Sequence, residues 1–154
     1  MARTTRTRWL TDAERSAWRN LSLMNLQLVA LLGRELAEDG LSYQDYLVLA
    51  ELGDRPDGTA RVTELGRRLG WETSRVSHHI SRMETRGLVR RTKCPTDQRG
   101  WLVEATDDGR AAIEAAAPAH VATVRKHFVD LLTPEQLRVL DEVATTVLDN
   151  LPPA

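Results

Sequence analysis

A mainly α-helical fold with one small β-hairpin is predicted from three observations. Apolar residues recur at helical spacing through most of the 154 residues. Between about 88 and 106 the pattern changes to strand character on either side of a polar turn. Capping signals and glycines cut the helical stretches into a defined series.

Thr11-Asp12-Ala13-Glu14 has the form of a capping box, in which a Thr hydroxyl and a Glu three residues later satisfy free N–H groups at a helix start. The helix that follows places Trp18, Leu21, Met24, Leu28, Leu31, Leu32 and Leu36 on one face, which Leu23, Leu26 and Val29 widen. A face that wide asks for more than one partner. Gly40 is its expected stop. Ser42 to Leu52 reads as a second helix with Tyr46, Leu47, Leu49 and Ala50 toward a core, and Gly53-Asp54-Arg55-Pro56-Asp57-Gly58 breaks the chain. Thr63 is the expected cap of a short helix, Glu64 to Leu69, closed by Gly70. Val76, Ile80 and Met83 mark the next helix, and Gly87 sits where a C-cap glycine belongs. Strands are expected over Leu88–Cys94 and Trp101–Thr106, around the turn Pro95–Gly100. Thr106 caps a long helix to about Leu132, with Pro118 expected to kink or interrupt it. Thr133-Pro134-Glu135-Gln136 starts the last helix, with Leu137, Leu140, Val143, Val147 and Leu151 on one side.

Net charge is −1, but its distribution is uneven. Residues 61–100 hold ten Arg/Lys against four acids, +6, and the remainder is −7. A basic centre in an acidic body is the electrostatic form of a nucleic-acid footprint. The single cysteine, Cys94, rules out an intrachain disulfide and fits a reducing compartment. No apolar core follows the polar stretch Met1–Arg8, so no signal peptide is expected, and no apolar run is long enough for a membrane span. A cytoplasmic location is therefore expected.

A short helix, a tight turn, a second helix and then a basic hairpin make a winged helix-turn-helix. A helix fits the major groove of B-DNA, where base edges are readable, and the hairpin can reach the narrower minor groove. The outward face of the second helix carries Thr73, Ser74, Arg75, Ser77, His78, His79 and Ser81, short or hydrogen-bonding groups with no Glu or Lys among them. Thr73, Ser74, Arg75, Ser77, His78 and His79 are thus the candidate DNA-reading residues, and Arg91, Asp97, Gln98 and Arg99 the candidates in the wing. Arg90 and Arg91, adjacent on a strand, point to opposite faces, so one can reach phosphate while the other packs or pairs.

The segments Leu65–Gly70, Ser74–Ser77, Met83–Arg91, Asp97–Gly100 and Leu102–Gly109 together resemble the MarR family of bacterial regulators. The resemblance spans about residues 20–150, and Trp71-Glu72-x-Ser74-Arg75-x-Ser77-His78 looks like actinobacterial members. It implies a homodimer paired through the first and last two helices, bound to double-stranded DNA at a pseudo-palindrome. It also implies that Arg99 enters the minor groove with Asp97 orienting it. The corresponding division is residues 41–106 for the DNA-binding unit and 1–40 with 107–154 for dimerisation. Many relatives bind small phenolic or aromatic ligands in a cleft beside the dimer arms; by position Trp18, Asn25, Tyr43 and Tyr46 are the candidates here, with packing the competing reading. Repression relieved by such a ligand is the expected mode. A winged helix that docks proteins without DNA is the alternative, and it has no need of Arg75, Arg91 and Arg99 on one side.

Other chemistries find little support. Cys94 stands alone at a strand end without a resolving partner and reads as a small strand residue. His78 and His79 diverge on a helix, His120 and His127 lie two turns apart, and no dense ligand cluster points to a metal. Gly66 reads as a close-packing glycine. No nucleophile elbow, phosphate-binding glycine loop or zinc-protease motif is present, so neither an enzyme nor a cofactor is expected.

Overall fold

The computed structural model describes residues 7–94 and 97–152. In chain order it forms α1 (Asp12–Glu38), α2 (Tyr43–Gly53), β1 (Thr59–Arg61), α3 (Val62–Leu69), α4 (Thr73–Thr85), β2 (Val89–Cys94), β3 (Asp97–Ala105), α5 (Asp107–His127), a 3-10 turn (Val129–Leu131) and α6 (Pro134–Asn150). The capping boxes at Thr11 and Thr133 are formed, and Pro134 opens α6. Thr106 accepts from the Gly109 N–H at the start of α5.

One antiparallel sheet has the order β1-β3-β2. The hairpin β2–β3 is the wing, and β1 joins its far edge, Ala60 opposite Val103. At three residues, β1 is too short to show a period, so the sequence pattern hid it. The core lies among α2, α3, α4, the sheet and the start of α5, with Val48, Leu52, Leu65, Val76, Ile80 and Met83 at its centre.

Several sequence expectations shift. Thr63 does not cap α3, which starts at Val62 after Arg61; instead Glu64 reaches back, its carboxylate accepting from the Arg61 N–H at 3.0 Å. The most buried apolar residues of α2 are Val48, Leu49 and Leu52, whereas Tyr46, Leu47 and Ala50 are half-buried. Asp97–Gly100 belong to β3 rather than to a turn, with a register irregularity at Lys93/Cys94. The long helix runs through Pro118 and stops at His127. Proline removes one N–H donor from the helix without ending it here.

A buried carboxylate ties α2 to α4. Asp45 is 1% exposed and is the third residue of the capping box that starts α2, accepting from the Ser42 N–H at 2.9 Å. Its other contacts come from the far helix: Arg86, at the C-cap of α4, donates at 2.7 Å, and His79 Nε2 lies 3.0 Å away. Arg82 Nη2 lies 3.0 Å from His79 Nδ1. Arginine can only donate, so Nδ1 accepts from it and Nε2 is the ring nitrogen that faces Asp45. That last contact is not aligned as a hydrogen bond, so its attraction is chiefly electrostatic. Burial alone would raise the Asp45 carboxyl. The contacts from His79, the Ser42 N–H, Arg86 and the Ser42 hydroxyl outweigh it and hold the carboxyl well below the ordinary carboxylate range.

Two stability predictions follow from this packing. A Cβ on Gly109 would sit 1.9 Å from the Leu88 carbonyl oxygen, a backbone atom that cannot swing away. Gly109→Ala is therefore expected to lose about 1–3 kcal/mol or more, as an overpacked site does. It would be read as a lower urea midpoint at fixed protein concentration, and a wild-type midpoint would contradict the seat of α5 on Leu88. Asp45→Asn is expected to lose about 1–3 kcal/mol at neutral pH, the range for a hydrogen bond to a charged group. Because the folded-state pKa is depressed, the contribution is full above about pH 4 and fades as pH falls through the folded-state value. Urea midpoints of both proteins across this range should converge in acid; a constant gap would mean that the Asp45 charge is not what stabilises the pair.

Candidate nucleic-acid interface

The turn between α3 and α4 depends on two glycines. Gly70 adopts φ +65° at the C-cap of α3, and the Trp71 N–H returns to the Gly66 carbonyl at 2.8 Å. A Cβ on Gly66 would lie 3.0 Å from the Trp71 carbonyl oxygen and 3.2 Å from Val76 Cγ2, so only a small residue lets the two helices approach. This is the packing role expected for Gly66. The tight turn crosses α4 over α3 and leaves the first turns of α4 at the surface.

On α4, Val76, His79, Ile80 and Met83 form the buried stripe. Thr73, Ser74, Arg75 and His78 are exposed, and Ser77 is half-buried. His79 therefore leaves the set of outward candidates. It is 7% exposed, with its ring edge-on to Trp71 at 5.4 Å and its Nε2 on Asp45. Its position three residues after Val76 already belongs to the inward spacing; its polarity disguised it. Arg75 lies with its guanidinium over the Trp71 ring, 4.9 Å from the centroid.

The wing is braced against α4. Arg91 donates to the Ser77 carbonyl at 2.8 Å and the Ser81 hydroxyl at 3.1 Å, and pairs with Glu84 at 3.4 Å. Glu84 also accepts from the Arg91 N–H. Arg90, on the other face of β2, pairs with Glu104 at 2.7 Å. Both arginines thus make intramolecular pairs; Arg91 is the more buried, and Arg90, 62% exposed, stays at the surface beside Glu104. Arg91, named as a wing contact, joins the wing to the recognition helix. The side chains of Asp97, Gln98 and Arg99 lie outside the described residues, while their backbone is part of β3. Trp101, which sequence reasoning passed over, is 44% exposed on β3 with Lys93 Nζ 4.0 Å from its ring centroid. A groove of about 790 Å³ separates α4 from the wing, lined by Thr73, Ser77 and His78 on one side and Arg91 and Trp101 on the other. Its walls are polar, and they also carry Glu84, which pairs with Arg91.

The residues expected to line a ligand cleft do not meet. Tyr43 lines a cleft of about 770 Å³ between α1, α2 and α4, together with Trp71, Arg75, His79, Arg82 and Arg86. Tyr46 instead stacks on His120 of α5, ring centroids 4.2 Å apart. Burial raises the Tyr46 phenol, helped by the charges of Glu35 and Asp54, and lowers the His120 imidazole against an opposing pull from Glu35. Trp18 is 65% exposed, and Asn25 is exposed too. The α1 residues at the cleft are Val29, Gly33 and Ala37. At about 1.5 Å of rise per residue, Trp18 is some 16 Å short of Val29 along the helix. Among the described residues no group of three or more His, Cys, Asp or Glu could hold a metal ion, and no helix is long and apolar enough to cross a membrane. Cys94 is buried, 3.4 Å from the Arg61 guanidinium.

Comparison with known proteins bears on this geometry. A family model described as MarR family matches residues 39–100. The fold superposes on AbsC, a MarR family transcriptional regulator from Streptomyces coelicolor, at 40% identity and a TM-score of 0.87, covering 93% of this chain and 97% of that one. Sco3205, a MarR family transcriptional regulator from the same organism solved in complex with DNA, is 36% identical with a TM-score of 0.89, over 98% of this chain and 95% of the other. The uncharacterized HTH-type transcriptional regulator YdgJ of Bacillus subtilis is 26% identical over 89 residues, and the match spans about half (54%) of its length. Matched to two regulators over nearly their whole lengths at 36% and 40% identity, with the winged helix-turn-helix in place, the chain belongs to the MarR family of transcriptional regulators.

Proposed function

We propose that this regulator binds double-stranded DNA as a homodimer, reads a two-fold related operator with α4, and acts in the cytoplasm as a repressor released by a small aromatic or phenolic ligand. It works by binding, not by catalysis. The observation that carries the reading is the outer face of α4. Thr73, Ser74, Arg75 and His78 stand exposed on its first turns, Thr73 and His78 lining the wing groove and Arg75 the cleft beside Tyr43, while the neighbouring arginines 86, 90 and 91 are held in intramolecular pairs. Residues 41–106 then form the DNA-binding unit, and 1–40 with 107–154 form the arms. Two copies of α4 would enter successive major grooves about 10 base pairs apart. Arg99 and Asp97 serve at the wing. The cleft beside Tyr43, with Arg75, Arg82 and Arg86 on its walls, supports the ligand reading because cationic groups above apolar Val29 and Ala37 suit an aromatic anion.

The dimer reading is supported by apolar surface that a lone chain leaves in water. No residue of α6 is buried, and its Val143, Val147 and Leu148 are 52%, 53% and 63% exposed. On α1, Trp18, Leu21 and Leu26 are exposed as well. Exposed apolar patches of this kind mark an association surface. Sedimentation at micromolar concentration is expected to give twice the 17.3 kDa chain mass. A monomer there would remove the paired arrangement of α4.

Arg75 is the one residue on the exposed face able to make a bidentate contact to guanine. Arg75→Ala is expected to lose about 1–3 kcal/mol of discrimination at one base pair of each half-site, symmetrically. The measurement is binding to a selected operator and its single-base substitutions. Profiles that stay parallel and merely shift would make Arg75 a phosphate contact and move base reading to Ser74, Ser77 and His78.

A further inference from the structure

Arg75 is exposed on a helix surface, where an arginine ordinarily samples many rotamers. Here it has a fixed platform. The guanidinium carbon lies 4.9 Å above the Trp71 ring centroid. Trp71 is itself 8% exposed, so its ring cannot turn freely. Its backbone is pinned by the bond from its N–H to the Gly66 carbonyl at 2.8 Å. Its ring meets His79 edge-on, at 5.4 Å and 78°. His79 is in turn set between Asp45 Oδ1 and Arg82, each 3.0 Å away. The ordered contacts thus run from the buried carboxylate of α2, through His79 and Trp71, to an exposed side chain in the first turn of α4, at the edge of the cleft it shares with Tyr43. Among the described residues Arg75 takes part in no ion pair; the Trp71 face is the contact that orders it.

We propose that Trp71 is a positioning residue for sequence reading: it holds the Arg75 guanidinium in a restricted set of directions before DNA arrives, and so sharpens discrimination at the base pair Arg75 reads. The proposal rests on Arg75 being a base-reading residue. Ordering an arginine in the free protein removes part of the entropy otherwise lost on binding. A stacked guanidinium keeps its N–H edge free in the ring plane, so stacking and hydrogen bonding to a base edge are compatible. Trp71 touches no base in this scheme. It contributes direction, and its effect should be confined to one position of the site.

The test uses the full-length protein and double-stranded DNA. A site is selected from a random library with the wild type, and every single-base substitution of it is titrated with wild type, Arg75→Ala, Trp71→Phe and Trp71→Leu. Trp71→Leu should lower preference at the Arg75 base pair by roughly two- to fivefold, the equivalent of one exposed cation–π contact, and leave preferences elsewhere unchanged. Trp71→Phe, which keeps a π face, should retain most of that preference. If Arg75→Ala loses one preference while Trp71→Leu keeps it, the positioning role is overturned and base reading stands. If Arg75→Ala keeps every preference, base reading fails and the positioning role falls with it. Uniform weakening by both Trp71 variants would also overturn the proposal, since it marks a general packing role. Should Trp71→Leu not fold, NMR of the wild type decides. The Arg75 Nε–Hε resonance, assigned by its loss in Arg75→Ala, is expected upfield through the ring current of Trp71, and a position among the solvent-exposed arginines would refute the stack.

Discussion

The recognition helix of this protein is held by one buried charge. Asp45 sits at the start of α2, yet two of its partners are on α4: Arg86 at the helix end and His79 near its middle. Two attachments more than one turn apart set both the axial position of α4 and its rotation. They act beside the fully buried Val76, Ile80 and Met83, and a roll of one residue, about 100°, would take these three out of the core. A carboxylate 1% exposed is costly unless hydrogen-bonded. The Ser42 N–H and the Arg86 guanidinium meet that requirement, and for this reason the capping box of α2 and the orientation of α4 are one structural decision.

The wing is attached to the same helix by a separate brace. Arg91 reaches the Ser77 carbonyl, the Ser81 hydroxyl and Glu84, joining β2 to the outer half of α4. These contacts tie the wing to the helix across the polar groove between them. An arginine with three acceptors on its own protein is poorly placed to follow a phosphate. The positive charge of the central segment is thus divided between structure and recognition: Arg86, Arg90 and Arg91 are matched by Asp45, Glu104 and Glu84, while Arg75 rests on an aromatic ring.

Outside the winged unit the fold is incomplete as a single chain. The first buried residue of α1 is Leu32, about three-quarters of the way along the helix, and α6 buries none. Membership of the MarR family agrees with this distribution, since both Streptomyces regulators match across the terminal helices as well as the wing. The apolar residues of the first half of α1 and of α6 that stand exposed in one copy keep a regular helical spacing, which makes sense as a surface for another.

Local chemistry wrote much of this into the sequence. Capping boxes at Thr11 and Thr133, the Thr106 cap, and glycines at 70 and 87 placed the helix ends, because these signals act over three or four residues and need no distant partner. The spacing of Val76, Ile80 and Met83 oriented α4, and the run of short polar groups from Thr73 marked its outer face. Tertiary structure alone decided the rest. β1 exists only because β3 offers it an edge. His79 is buried because Asp45, thirty-four residues earlier, provides a partner for its Nε2. Arg91 turned inward because Ser77, Ser81 and Glu84 line up beneath it, and Tyr43 and Tyr46 parted because consecutive faces of α2 look toward different helices. Each of these outcomes depends on which polar group lies within hydrogen-bonding reach in space, and the spacing of residues along a chain does not contain that information.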